Sequence, residues 1–211
     1  MAIIHRATIT PSKLEMVAAY LPGVPALAPF VDASLSQIGA YRFDDPAGDV
    51  GIETLILTND AGAVLQVPLT YRGAPVDGLD DALLGTMEHS VLGDRWIYDA
   101  CREPVYMGEL AGTILSGGVG AREVFSASAA GEPEERTPSV TVQGTGEAGT
   151  AAPSIGAVEV EMIGTDSHLR AADVTIVLPH VLDAADTKTD SPALLGTWVG
   201  LDEPVVLATV V

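Results

Sequence analysis

Between residues 39 and 73 the chain sets out three segments, GAYRFDD, VGIETLILTND and AVLQVPLTYRG, which alternate or run apolar. Two closely similar turn signals separate them, Asp45-Pro46-Ala47-Gly48 and Asn59-Asp60-Ala61-Gly62. Turns this short leave no room for a crossover helix, so consecutive strands must pair antiparallel. That rhythm restricts the fold more than any other feature. Pro68 interrupts the third strand and predicts an edge position or a bulge, because proline donates no ladder hydrogen bond.

Around this core the helical signals are few. Thr10 reads as an N-cap with Pro11 at the first helical position, and Leu14, Val17, Ala18 and Leu21 form one apolar face before Pro22-Gly23. EPVYMGELAGTILSGG predicts a second helix, closed by Gly117-Gly118. Further on, AVEVEMIG, ADVTIVLPHVL, LLGTWVG and PVVLATVV read as four strands. The fold class expected is α+β, mostly antiparallel sheet with two main helices. The organisation expected is an α+β region over 1–128, a Gly/Pro/Glu-rich loop or linker over 129–154, and a β-strand region over 155–211 packing on the first. The loop should be cut early by protease near Glu134-Glu135-Arg136. ALLGT occurs at 82–86 and again at 193–197 and reads as two similar strand starts.

Charge excludes partners rather than naming them. With 29 acidic against 10 basic residues the net charge is −19, which repels phosphate backbones and anionic lipid. No nucleic-acid or membrane partner is expected. Cys101 is the single cysteine, in keeping with a reducing compartment. His5 and Arg6 break what would have to be the apolar stretch of a secretory signal. The longest uncharged run, Met16 to Val31, is too short to span a bilayer and contains three prolines. A cytoplasmic protein is expected.

Familiar catalytic patterns fail when tested residue by residue. Gly144-Thr145-Gly146-Glu147-Ala148-Gly149 matches the letters of a dinucleotide fingerprint, but Pro153 and β-branched residues follow where its helix should run. A kinase needs a phosphate-pairing Lys and an Asp with an Asn a few residues later. The sole Asn, Asn59, has no such partner, and the only lysines are Lys13 and Lys188. No Gly-x-Ser-x-Gly elbow occurs, and His5, His89, His168 and His180 show no ligand spacing. The sequence therefore leads us to expect no catalytic residue, no metal site and no cofactor.

One stretch is dense in polar and aromatic residues: ALLGTMEHSVLGDRWIYDA, residues 82–100. His89, Arg95, Trp96, Tyr98 and Asp99 could form a ligand surface, with aromatics stacking on sugar rings while Arg and Asp pin hydroxyls. In the scaffold reading, alternation buries Trp96 and Tyr98 on one face and leaves Arg95, Ile97 and Asp99 on the other. That reading expects Trp96 and Trp198 to be mostly buried.

VPLTYRGAP followed by LLGTMEHSVLGDRWIYDACREPVY resembles the N-terminal cap region of actinobacterial maltokinases. IHRATITPSKLE, FDDPAGDVGIET and LLGTWVGLDEPVVLATV resemble a stand-alone actinobacterial group named after that cap, over most of the chain except 120–155. The resemblance implies a cap-like N-terminal part and an all-β C-terminal part. In the full-length kinases the cap contributes no catalytic residue, so none is carried over. The expected function is a non-catalytic accessory or binding module in bacterial α-glucan, maltose or trehalose metabolism. The rivals are a small carbohydrate-active enzyme using acids of the Glu88–Asp99 region, and a structural partner of a separately encoded kinase or glycosyl enzyme. A protein partner or a small carbohydrate fits this expectation, and the sequence leaves the oligomeric state open.

Overall fold

The computed structural model describes residues 1–126 and 134–211. The elements in chain order are β1 (Ala2–Ile4), β2 (Ile9–Thr10), α1 (Lys13–Tyr20), β3 (Ser36–Asp44), β4 (Gly51–Thr58), β5 (Val64–Arg72), β6 (Leu83–His89) and β7 (Gly93–Asp99). They continue with α2 (Pro104–Ser116), β8 (Glu123–Phe125), β9 (Glu135–Arg136), β10 (Val140–Gly144), β11 (Glu159–Ile163) and β12 (Asp166–Ala171). β13 (Val174–Pro179), β14 (Val181–Leu182), β15 (Ala193–Trp198) and β16 (Val205–Val210) close the order. Among the described residues the fold is α+β and mostly antiparallel sheet.

The central sheet runs β2-β6-β7-β5-β4-β3, with β14 also pairing with β5. The two turn signals join its strands as the sequence requires. Asp45 carboxylate oxygens accept the amides of Ala47, Asp49 and Val50, and the Asn59 side chain accepts those of Ala61 and Ala63. Asx side chains holding their own turns in this way favour tight hairpins. Pro68 lies inside the sheet, yet at a local edge. On one side of it Leu69 pairs with Asp99 of β7; on the other, the Gln66 amide donates to the His180 carbonyl beside β14. The missing N–H falls where β5 changes partner.

A second sheet, β10-β15-β16-β13-β12-β11, is built mainly from the C-terminal part. The two ALLGT copies do open strands, β6 and β15. The four strands read there become five with β12, whose DSHLRA looks polar. Only its alternate residues Ser167, Leu169 and Ala171 are buried, the period-two pattern of a half-covered strand. Within the expected loop 129–154, residues 129–133 lie outside the described residues. The rest holds strands: Glu135 and Arg136 pair with Val124 and Glu123, and Val140–Gly144 forms the edge strand on β15. Val140 and Val142 point inward, so even this short run has apolar surface to bury.

α2 lies between the two sheets. Pro104 starts it, and Gly117 at φ +66 ends it in the left-handed conformation that glycine adopts without a Cβ clash. Its buried residues Tyr106, Met107, Leu110, Ala111 and Ile114 share a core with Tyr41, Phe43 and Ile52 of the central sheet and Leu169, Ile176 and Leu207 of the second. Residues from both ends of the chain thus enter one core. The GTGEAG glycines find their reason here. A Cβ on Gly144 would stand 2.0 Å from the Thr113 carbonyl oxygen, and one on Gly146 2.1 Å from that of Leu115. They let backbone meet the carbonyl end of α2, the pole that repels a phosphate.

The opposite face of the central sheet is covered by α1 and the 3-10 turns Leu21–Gly23 and Pro25–Phe30. Met16, Val17, Leu21, Leu27 and Phe30 pack there on Leu55, Leu57, Val67 and Ile97. The N-cap of α1 is Ser12 and not Thr10, which ends β2. Ser12 and Glu15 form a reciprocal capping box: Ser12 Oγ accepts the Glu15 amide at 3.3 Å and Glu15 Oε2 accepts the Ser12 amide at 2.7 Å.

Candidate functional site

The face carrying α1 is closed at one end only. At the other, a groove of about 570 Å³ opens between the end of the central sheet and the segment from Met1 to Ile9. That volume lies within the range of small-ligand sites, about 300–1,000 Å³. Its floor is built by strand register. Arg42 stands directly across from Glu53, Gly51 across from Tyr71, and Met87 across from Arg95, so side chains far apart in sequence share one face.

Glu53 anchors the floor. It is 2% exposed, and its carboxylate takes Lys13 Nζ at 2.5 Å, the Tyr71 hydroxyl at 2.7 Å and a close Arg42 guanidinium. Burial by itself would raise its pKa; the charges of Arg42 and Lys13 and the bonds from Lys13 and Tyr71 outweigh that and hold it at about 2. Glu53 is therefore ionised throughout the physiological range and fully engaged, a keystone rather than a proton donor. Tyr71 is pushed well above its ordinary range, by burial first and then by Glu53. Lys13 also lies over the Tyr71 ring, 5.5 Å from its centre. Arg42 reaches Glu123 at 3.6 Å, and Arg136 pairs with the same carboxylate at 3.2 Å, tying the small β1-β8-β9 sheet to the floor.

The wall carries His5, His89 and Arg95. His5 and His89 meet edge to face, 5.7 Å between ring centres. His89 Nδ1 accepts the amides of Val91 at 3.2 Å and Leu92 at 3.0 Å, which leaves the ring proton on Nε2. Burial, then the neighbouring charges of His5 and Arg95, push its pKa below the ordinary histidine value, so His89 is neutral at pH 7. Arg95 donates through Nη2 to the Leu92 carbonyl at 2.8 Å. Asp44 and Asp49 line the far end.

The five residues singled out in the sequence do not form one surface. His89 and Arg95 line the groove. Trp96 and Tyr98 alternate to the opposite face, beside Arg72 and Thr70, their register partners. Tyr98 is buried and its hydroxyl accepts the Val76 amide at 2.9 Å. Asp99 holds backbone, accepting the Cys101 amide at 3.0 Å to cap the 3-10 turn Ala100–Arg102, and it takes the Tyr20 hydroxyl at 3.2 Å. The scaffold reading needs correction at Ile97 alone: it is fully buried, on the face that reading left uncovered, because it enters the core under α1. Trp96 and Trp198 are mostly but not fully covered.

Lys13, Arg42, Glu53 and Tyr71 were missed in the sequence. The signal available was Glu53 itself, a lone acid inside the apolar GIETLILT strand, where a buried charge requires cations nearby. Among the described residues no group of three or more His, Cys, Asp or Glu side chains is arranged to hold a metal ion. No helix among them is long and apolar enough to cross a membrane.

Residues 30–102 match the family described as maltokinase N-terminal cap domain, so this part of the chain is cap-like. The match runs from Phe30 through β3–β7 to the 3-10 turn that precedes α2. A solved structure titled "Glucosamine kinase in complex with glucosamine, ADP and inorganic phosphate" is similar at TM-score 0.46 and 17% identity, over 96% of this chain and 41% of that one. The chain thus spans less than half the length of that kinase. No curated protein matches the sequence.

Proposed function

We propose that the protein is a non-catalytic binding module of the maltokinase-cap type, working in the cytoplasm in bacterial α-glucan, maltose or trehalose metabolism and taking a small carbohydrate in the groove beside Tyr71. The observation that carries this reading is the coincidence of the cap match, 30–102, with the strands β3–β7 that supply the groove's floor and most of its wall. The groove offers what a sugar needs: an aromatic ring on Tyr71, donors on His89 and Arg95, and an acceptor on Asp49. The commitment of its buried acid supports binding over catalysis, since general acid work requires a carboxyl tuned toward neutrality and Glu53 is tuned away from it. The acids of the rival enzyme reading fare no better: Asp99 caps backbone, and Glu88 and Asp94 are exposed.

Calorimetric titration with maltose, trehalose and maltooligosaccharides tests the reading. Saturable binding of one of them, without turnover, is expected. Hydrolysis or transfer on the same sugars, abolished by replacing an acid of the groove, would establish the enzyme instead. Absence of binding to all of them would overturn the carbohydrate module.

A further inference from the structure

The groove is cationic on one wall in a chain whose net charge is −19. Floor and wall differ in how their cations are used. Lys13 and Arg42 are spent on Glu53, whereas Arg95, among the described residues, has no carboxylate partner. Its one hydrogen bond is to the Leu92 carbonyl, and its Nε is buried and unpaired. A guanidinium carries five N–H donors in a fork that fits an oxyanion, so most of this one's bonding capacity is unfilled. His89 stands on the same wall with its proton fixed on Nε2, a further donor.

The chain also makes room for this guanidinium. A Cβ at Gly73 would stand 2.8 Å from Arg95 Nη1. Gly73 has no left-handed backbone that would demand glycine. What the absent side chain leaves is the place where the guanidinium lies. The acids are at the far end: Asp45 is committed to its turn and Asp44 takes the Met1 ammonium, which leaves Asp49 for a ligand's hydroxyls.

We propose that the groove is a site for a small phosphate-bearing molecule, with the phosphate on Arg95 and His89 and its hydroxylated part directed toward Asp49. The inference rests on the reading of the groove as a binding site and narrows its ligand from neutral sugar to phosphate ester. A phosphate suits the wall better than a carboxylate, because a tetrahedral group with three free oxygens accepts from separate side chains at different angles, whereas a carboxylate offers two oxygens in one plane.

Glucose 6-phosphate, glucose and inorganic phosphate, titrated calorimetrically into the native protein and into Arg95→Gln and Gly73→Ala, test it. Gly73→Ala displaces only the far end of a flexible side chain, so its melting temperature should stay near the native value. Glucose 6-phosphate should bind at least tenfold more tightly than glucose, weaken with added salt, and lose at least tenfold in both variants. Inorganic phosphate binding as well as the ester, with the same loss in Arg95→Gln, would support the anion site and identify free phosphate as its occupant. Failure of both phosphate probes to bind, or unchanged binding in Arg95→Gln, would overturn the inference. Maltose binding that persists in Arg95→Gln would meanwhile leave the carbohydrate module standing.

Discussion

Two buried carboxylates pack against opposite faces of the central sheet, and their surroundings divide the molecule. Glu103 is fully buried beneath the face that carries α2. It accepts the Thr70 hydroxyl at 2.9 Å and both Nε and Nη2 of Arg72, at 3.1 and 2.5 Å. On that side α2 and the second sheet share one core with the central sheet. Glu53, on the other face, is equally starved of water but lies under the open groove, and its partners Lys13, Arg42 and Tyr71 line that groove. The same device, an acid neutralised by arginine and a hydroxyl, closes one face and builds a receptive surface on the other. What differs is the cover: Glu103 lies at the buried start of α2, while the partners of Glu53 line the groove.

Removing either acid should therefore cost similar stability but differ in every other respect. Glu53→Gln and Glu103→Gln each leave a cation without its counter-charge in a poorly hydrated place, at a cost of about 3–5 kcal/mol, read from urea unfolding at pH 7. Only Glu53→Gln should also disturb ligand binding. The acid limb sharpens this contrast. With its folded pKa at about 2 against an ordinary 4.5, Glu53 contributes stability that is full above about pH 4.5 and fades as pH falls toward 2. The native protein should lose stability across that window, and Glu53→Gln should lose less of it.

A smaller or comparable effect is expected in the closed core. Leu110→Ala in α2 removes a side chain packed from both sheets and should cost about 2–5 kcal/mol, with groove binding unchanged when measured below the variant's melting temperature. A similar loss of sugar affinity in that variant would show that the faces are not independent. The tryptophans come last. Trp198 packs against the closed core but is only partly covered, and Trp96 lies in neither cluster. Trp198→Ala should cost about 2 kcal/mol and Trp96→Ala about 1 kcal/mol, less than full burial of an aromatic would bring. Equal costs near 4 kcal/mol would mean that both indoles are core residues.

The sequence disclosed the elements better than their assembly. The hairpins of β3–β5 were legible because Asp45 and Asn59 bond their own turn amides, a purely local effect. α2 was legible because its apolar spacing, Pro104 and Gly117 agree. β12 was obscure because its outward residues dominate DSHLRA. The start of α1 was misplaced because Pro11 outweighed the Ser12–Glu15 capping box. Of the groove, His89 and Arg95 were visible, since one hairpin carries both. Lys13, Arg42 and Tyr71 were not, because only sheet register brings them to Glu53. Trp96 and Tyr98 misled because strand alternation sends them away from the very neighbours they have in sequence.

The central claim is that ligand recognition belongs to the open end of the α1 face and that the α2 face is scaffold. Backbone-amide NMR shifts, followed while maltose or glucose 6-phosphate is titrated into the whole chain, test it most directly. Perturbed amides are expected around Lys13, Gly51, Tyr71, His89 and Arg95, with those of α2 and of residues 205–210 unmoved. Saturable shifts centred on Trp96, Tyr98 and Val76, with the groove silent, would contradict it.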